Sequence, residues 1–244
     1  MKKISISIVI PLYNKEDTIG RAIESVLCQK YNLFELIIIN DGSTDNSLHI
    51  AKEYEYDDRV KVYSIPNQGV SFARNYGSNI AFSEYICFLD GDDEWHHENL
   101  EEIVRLILNN KDSVLFSTRS YVEGSLKKFD MMNKAELTGD FFEDYSKVNY
   151  LINSSSACVR KEDFKAIKGF PVGFGRGEDI YVWFRLALLG KTAHSLRTLV
   201  TVHSDGKSRC ANDKLKEIPY HIYYFTLRNS KIYKSKKFIY KSLK

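Results

Sequence analysis

Three carboxylates follow an apolar segment near the middle of the chain. Residues 85–89 are Tyr-Ile-Cys-Phe-Leu; Asp90, Asp92 and Asp93 come next, with Gly91 between the first two. Carboxylates this close together repel one another unless a cation or a hydrogen-bond donor lies between them. Because the ligand atoms of the cluster are all oxygen, a hard divalent cation such as Mg2+ or Mn2+ fits best. The cluster therefore predicts a metal that holds a diphosphate, and the alternative is a solvated acidic turn.

Two further acids follow a glycine-rich loop. Residues 169–177 contain four glycines, and Glu178 and Asp179 open the apolar helix pattern that ends at Gly190. Acids at a helix start interact favourably with the helix dipole, by about 0.3–1 kcal/mol, so one such acid has a purely structural explanation. The loop before them is typical of a segment that moves over a ligand, which makes both acids candidate site residues.

The elements that must position these acids alternate between strands and helices. Apolar segments rich in branched residues predict strands at 5–11, 34–39, 60–64, 85–89, 113–118 and 154–159. Apolar residues at helical spacing predict helices at 18–29, 47–54, 70–81, 98–109, 161–167 and 178–190. This alternation predicts an α/β domain with a mostly parallel, Rossmann-like sheet flanked by helices.

Polar residues follow three of the predicted strands. They are Tyr13 and Asn14 after the first strand, Asn40 and Asp41 after the second, and Asp90 and Asp92 after the fourth. Because parallel strands place their carboxyl ends at one edge of the sheet, where open α/β proteins bind ligands, we expect the three pairs to converge.

Composition limits the class of protein. The 244 residues have a net charge of +3 and are 43% hydrophobic, enough for one large domain and an extension. The four cysteines show no CxxC spacing and are typical of a reduced, cytoplasmic protein. We interpret the N-terminus as a first strand rather than a signal peptide, and no apolar segment approaches the roughly 20 residues that cross a bilayer. The small positive charge does not indicate nucleic-acid binding.

The C-terminal segment has its own composition. Residues 218–244 contain no acid, and lysines and one arginine alternate with tyrosine and phenylalanine. This pattern predicts a helical extension, residues 206–244, suited to an anionic membrane surface. A helix packed on the domain with a solvated tail, or a contact with a partner protein, remains an alternative.

Several motifs, in order, resemble those of family-2 inverting glycosyltransferases with the GT-A fold, of the bacterial polysaccharide type. The resemblance covers residues 5–202 and is carried by residues 7–14, 35–45, 67–69, 73–75, 88–93 and 177–179. It implies a GT-A domain over residues 1–205, with a nucleotide-sugar half at 1–118 and an acceptor half at 119–205.

The resemblance also implies roles for individual residues. Donor binding would involve Pro11, Tyr13, Asn14, Asn40, Asp41, Arg74, Asp90 and Gly91. Asp92 would be the direct metal ligand, and Asp90, nearer the ribose, would be a second candidate ligand. His203 is a further candidate, with a structural or exposed histidine as the alternative. Asp179 would be the general base, and Glu178 and Trp95 would lie in the acceptor pocket, although a core tryptophan is an equal alternative. Many relatives have Asp where this chain has Asn40, so which side chain reads the base stays open.

The expected function is therefore a Mg2+- or Mn2+-dependent transfer from a nucleotide-diphosphate sugar, such as a UDP-sugar, to a glycan or lipid-linked acceptor of a surface polysaccharide. We expect a cytoplasmic location, with peripheral attachment to the inner face of the membrane as an option. One alternative is a nucleotidyltransferase acting on sugar phosphates, although residues 12–16 lack a glycine-rich phosphate loop. The other is a non-catalytic sugar-binding subunit. The sequence does not predict the donor sugar, acceptor, linkage or oligomeric state.

Overall fold

The computed structural model describes residues 3–124, 136–147, 151–174 and 176–203. The predicted extension at 206–244 and its boundary with the domain lie outside these residues. The predicted division of the domain between residues 118 and 119 falls inside a single strand, so one continuous sheet spans both predicted halves. Within the described part of the chain, no helix is both long and apolar enough to cross a membrane.

The described residues form one sheet with helices on both faces. Its strands are β1 (Ile6–Leu12), β2 (Phe34–Asp41), β3 (Val60–Ile65), β4 (Tyr85–Phe88), β5 (Glu94–Trp95), β6 (Ser113–Val122), β7 (Glu136–Leu137), β8 (Ala157–Arg160) and β9 (Lys191–Val202). The helices are α1 (Ile19–Leu27), α2 (Ser47–Glu53), α3 (Val70–Ile80), α4 (Asn99–Asn109), α5 (Phe141–Lys147), α6 (Lys161–Ala166) and α7 (Glu178–Leu189). The strand order is β3-β2-β1-β4-β8-β6-β9-β5, and β7 pairs with β9.

The first four strands are parallel, as predicted. β1 lies between β2 and β4, with Leu12 opposite Asn40 and Val9 opposite Phe88. The carboxyl ends of β1, β2 and β4 therefore meet at one edge, which we call the carboxyl edge of the sheet. This arrangement brings the three predicted polar segments to the same side of the molecule.

The second half of the sheet is mixed. β8 runs antiparallel to both β4 and β6, whereas β6 and β9 are parallel, so the sheet as a whole is less parallel than predicted. The strand predicted at 154–159 is also partly wrong, because Ser154–Ser156 form a 3-10 turn before β8. Asn153 caps this turn by accepting the Ser156 amide, a local interaction that competes with strand pairing.

The core lies on both faces of the sheet because side chains alternate along each strand. Along β1, Ile8 and Ile10 pack with α1 and α4, whereas Val9 packs on the opposite face with α3 and α7. β1, β2 and β4 are therefore buried on both faces. These apolar strands hold the polar residues at the carboxyl edge in fixed positions.

Candidate active site

Arg74 joins the two acid clusters that the sequence placed 88 residues apart. It lies in α3 and is only 3% exposed. Its Nη2 lies 2.6 Å from Asp90 Oδ1, just after β4, and its Nη1 lies 3.3 Å from Glu178 Oε1, at the start of α7. The guanidinium carbon lies 5.1 Å from the centre of the Phe170 ring. One buried cation thus connects three segments that are distant in sequence.

The acids stabilise the positive charge of the buried Arg74. Burial disfavours the guanidinium charge, but the nearby Asp90 and Glu178 outweigh burial and raise the pKa of Arg74. Removing one member of such a buried pair leaves an uncompensated charge, which typically costs about 3–5 kcal/mol. The bridge is therefore an energetically important part of the site.

Asp179 has the environment of a base. It begins α7 after Gly177, whose φ of 74° is a left-handed conformation that favours glycine. Its Oδ1 accepts the backbone amide of Ile180 at 2.7 Å. Burial and then the negative charge of Glu178 raise its pKa to about 6, although Arg74 opposes the shift. At neutral pH the carboxylate is ionised and still basic enough to accept a proton.

Tyr145 lies near this base. Burial and the charge of Asp179 raise the pKa of its phenol to about 12, which keeps the hydroxyl protonated. Its ring packs edge-on against Phe184 of α7, with ring centres 5.5 Å apart. Tyr145 lies in helix α5, and the sequence analysis did not single out this aromatic neighbour.

Asp92 is paired with a residue that the sequence analysis did not single out. Its carboxylate forms an ion pair with Lys15, and its backbone carbonyl accepts Arg21 Nη2 at 2.8 Å. The side chains of Asp92 and Lys15 are 18% and 26% exposed, so solvent reaches the pair. A basic residue thus already neutralises the predicted metal ligand in this structure.

The donor set nevertheless fits a hard divalent cation. Asp90 and Asp92 offer only oxygen, and their side chains are 33% and 18% exposed. Among the described residues, no group of three His, Cys, Asp or Glu side chains could hold a metal ion. Mg2+ commonly binds one or two carboxylates and takes its remaining ligands from substrate phosphates and water. The two aspartates are consistent with that kind of partial site.

The third acid of the cluster, Asp93, is turned inward. It is 5% exposed, and its carboxylate accepts the Ser155 hydroxyl and the backbone amide of His203. Burial and then the charge of Asp90 raise its pKa to about 8. Ser155 also accepts the backbone amide of Asp90 at 3.1 Å. This serine supports the acid cluster, and the sequence reasoning missed it because it assigned residues 154–156 to a strand.

The polar residues at the end of β2 bind the backbone of neighbouring loops. Asp41 accepts the amides of Gln68 at 2.7 Å and Gly69 at 2.8 Å, directly before α3. Asn40 accepts the Ser43 amide at 3.2 Å. Both side chains are 3% exposed. Asp41 therefore fixes the loop that leads to Arg74, and Asn40 fixes the turn that follows β2. Their predicted contacts with a nucleotide stay predictions.

The residues after β1 border the same edge. Pro11 is buried and Tyr13 is partly exposed, while Asn14 has a positive φ of 49° and its Oδ1 accepts the Thr44 amide at 2.8 Å. At Gly91 an added Cβ would lie 3.6 Å from the carbonyl of Pro11, an ordinary contact, and the backbone is not left-handed. The fold therefore does not itself require glycine there, and close approach to a ligand stays a prediction.

Two of the predicted site residues face elsewhere. The Nδ1 of His203 lies 2.8 Å from Glu123 and its Nε2 lies 3.2 Å from Glu94, so the imidazole is held between glutamates rather than directed at Asp92. Trp95 is 3% exposed in the core, and its Nε1 donates to the carbonyl of Ser155 at 2.6 Å. Its placement follows the core alternative that the sequence left open.

Arg74 thus joins an Asp-Gly-Asp turn to a Glu-Asp helix start on an α/β sheet. The family model "Glycosyl transferase family 2" matches residues 7–167. The chain therefore belongs to glycosyl transferase family 2, and the family predicted from the sequence is confirmed.

Individual relatives agree with this assignment. An uncharacterized glycosyltransferase of Rickettsia bellii is 27% identical over 238 residues, covering 94% of this chain and 33% of the relative. The Escherichia coli protein WfgD, a UDP-Glc:alpha-D-GlcNAc-diphosphoundecaprenol beta-1,3-glucosyltransferase, is 30% identical over 186 residues, covering 74% of this chain and 69% of WfgD. The chain spans about a third of the length of the first relatives that it matches.

Solved structures confirm the GT-A fold. S. aureus TarS 1-349 in complex with UDP-GlcNAc superposes with a TM-score of 0.73 at 20% identity, covering 87% of this chain and 62% of that one. The mannosyltransferase PcManGT from Pyrobaculum calidifontis, in complex with GDP-Man and Mn2+, has a TM-score of 0.64 at 16% identity, covering 84% and 57%. At these identities the likeness establishes the fold alone.

Proposed function

We propose that this protein is a metal-dependent inverting glycosyltransferase that moves a sugar from a nucleotide-diphosphate sugar to a glycan or lipid-linked acceptor in surface polysaccharide synthesis. The observation that carries the proposal is the Arg74 bridge between Asp90 and Glu178. The bridge supports the proposal because it joins the turn that would bind the metal to the helix start that carries Asp179, the proposed base, and a single displacement needs both groups at one site. Family membership separates this function from the nucleotidyltransferase alternative.

The reaction needs one base. The acceptor hydroxyl oxygen bonds to the anomeric carbon of the donor sugar, the bond from that carbon to the diphosphate oxygen breaks, and the hydroxyl proton moves to Asp179. Because Asp179 Oδ1 already accepts the Ile180 amide, we assign the proton to Oδ2. Inverting transfer does not need the second carboxylate nucleophile of retaining glycosidases, so Glu178 is left to pair with Arg74.

The leaving diphosphate carries negative charge that must be compensated. Asp92, with Asp90 beside it, would hold Mg2+ or Mn2+, and the bound cation would neutralise charge on the departing diphosphate. Lys15 and Arg74 lie beside these acids, so both cationic side chains are positioned to contact phosphate oxygens once the carboxylates bind other partners. The donor would thus meet several positive groups at the carboxyl edge of the sheet.

UDP is the nucleotide that the relatives favour. WfgD is named for UDP-Glc, and TarS was solved with UDP-GlcNAc. Pro11, Tyr13, Asn40 and Asp41 end β1 and β2 at this edge, where we place the uridine. Glu178 and the neighbourhood of Asp179 would face the acceptor.

A screen of nucleotide sugars tests the donor assignment. We expect Mn2+-dependent hydrolysis of, or thermal stabilisation by, at least one UDP-sugar, because binding to the folded state raises its stability. Asp92→Ala should abolish the metal-dependent part of this response. Equal responses in the presence and absence of metal, or no response to any nucleotide sugar, would contradict the proposal.

We place the protein at the cytoplasmic face of the membrane, where a lipid-linked acceptor would be available. The basis is the basic and aromatic composition of residues 218–244. Binding to anionic vesicles should be strong for the full chain and much weaker for a version ending before residue 218. Equal binding by the two would count against membrane attachment.

A further inference from the structure

A cavity of about 340 Å³ lies between the end of α6 and helix α7. None of its described lining residues belongs to the acid clusters at residues 90–93 and 178–179. Its walls include Lys168, Gly169 and Pro171 after α6, and Tyr181 and Arg185 of α7. None of the residues predicted from the sequence to bind donor or metal lines it. The cavity is large enough for a small ligand group.

The charge of this cavity is positive. Lys168 and Arg185 both line it, and no acidic side chain is among its described lining residues. Arg185 Nη1 donates to the hydroxyl of Tyr181, another lining residue, at 2.9 Å, which restrains the guanidinium at the cavity wall. A planar guanidinium beside a flexible ammonium group is suited to a phosphate oxyanion.

The wall formed by residues 168–170 is rigidly built. Lys168 and Gly169 have left-handed φ values of 68° and 65°, and the Gly169 amide donates to the Phe164 carbonyl at 3.0 Å. The Asn75 side chain accepts the Phe170 amide and donates to the Phe170 carbonyl, both at 2.8 Å. An added Cβ at Gly169 would lie 2.4 Å from Asn75 Oδ1, so no side chain fits there. The cavity is therefore preformed, which lowers the cost of binding.

The same elements connect the cavity to the candidate active site. Asn75 directly follows Arg74 in α3, and the Phe170 ring lies under the Arg74 guanidinium. Asp179, the proposed base, and Arg185 are six residues apart in α7, which places them about 9 Å apart along its axis. A sugar with an attached diphosphate is long enough to span this distance.

We propose that Lys168 and Arg185 bind the phosphate group of a phosphate-bearing acceptor whose reactive hydroxyl lies at Asp179. The inference rests on the proposed function, since it assigns the acceptor class of that site. Free phosphate has the same oxyanion chemistry and would bind the same two cations. Experiments on the full chain separate the two sources.

The first experiment measures anion binding independently of transfer. Inorganic phosphate is titrated calorimetrically into the protein saturated with UDP and Mg2+, so that the donor site is filled. The Lys168→Gln/Arg185→Gln variant should bind phosphate about tenfold more weakly or not at all. The Lys165→Gln/Lys191→Gln variant, which removes the same charge at exposed positions outside the cavity, should match the wild type.

Phosphate binding that is absent from the wild type, or unchanged in the cavity variant, would overturn the site. Lys168 is exposed and can be changed alone, so Lys168→Gln tests the site even if the Arg185 variant does not fold. Failure of UDP to bind in these titrations would instead count against the proposed function. The two failures are therefore distinguishable.

The second experiment separates the sources. Two probes are compared with UDP and Mg2+ present: butyl N-acetylglucosaminyl diphosphate, and the butyl glycoside of the same sugar without the diphosphate. We expect the diphosphate probe to bind about tenfold more tightly to the wild type and to lose this advantage in the double cavity variant. Equal binding of the two probes by the wild type would overturn the acceptor assignment and identify the cavity as a site for free phosphate.

Discussion

Replacing Asp179 with asparagine should remove catalysis and, above about pH 6, stabilise the fold. The asparagine keeps the side-chain oxygen that accepts the Ile180 amide, so the start of α7 keeps this contact. What it removes is an acid that burial and Glu178 make costly to ionise. A carboxylate kept for its basicity at the expense of stability is typical of an active site.

The magnitude follows from the pKa. The pKa of Asp179 rises from 3.8 to about 6, which corresponds to about 3 kcal/mol between the two protonation states. This value is an upper bound, because the side chain is partly exposed. The folded state holds the Asp179 proton more tightly than the unfolded state does. The unfolding free energy of the wild type therefore falls by up to this amount as the pH rises from about 4 to 6, and it does not recover at higher pH. The asparagine variant has no such loss.

The assay is urea unfolding of the wild type and Asp179→Asn between pH 4 and pH 7. The difference in unfolding free energy, variant minus wild type, should grow by up to about 3 kcal/mol over this range. The rate of sugar transfer should fall by about 10²–10⁴-fold, which is the usual contribution of a general base. UDP-sugar binding, measured by calorimetry, should be retained. In the wild type, the rate should fall as the pH drops through about 6.

A difference in stability that stays constant from pH 4 to pH 7 would refute the electrostatic argument, and retained transfer would remove Asp179 from the base role. Glu101→Gln is the matched control. Glu101 is an exposed carboxylate in the first turn of α4, so the variant reports the effect of losing an acid at a helix start outside the site.

Further predictions follow from the contacts around the site. Arg74→Gln should lower the unfolding free energy by about 3–5 kcal/mol in denaturant titrations, because Asp90 and Glu178 lose their shared cation; an unchanged stability would contradict the bridge. Asp92→Ala should keep metal-free UDP binding and lose the increase that Mn2+ produces in the wild type, and an undiminished Mn2+ effect in calorimetry would exclude Asp92 as ligand. Asp41→Ala should destabilise the fold by about 1–3 kcal/mol, because two backbone amides before α3 lose their carboxylate acceptor; a thermal unfolding profile like that of the wild type would contradict this structural role.

The parallel half of the fold followed from the sequence because its signals are local. The strand at residues 34–39 is an almost continuous apolar segment followed by a dense turn, which is the pattern of a strand buried on both faces. The antiparallel strands β5 and β7 escaped prediction because each has only two residues, too few to show any periodicity. Their pairing with β9 is a tertiary contact.

The types of residue at the site, and the edge of the sheet on which they would lie, were determined by the sequence alone. The partners were decided by tertiary structure: Lys15 on Asp92, Ser155 on Asp93, and Arg74 between Asp90 and Glu178. The physical reason is that a strand end follows from hydrophobic periodicity over a few residues, whereas an ion pair depends on the packing that brings distant segments within a few ångströms. The raised pKa of Asp179 depends in the same way on burial and on its neighbours, which only the folded chain supplies.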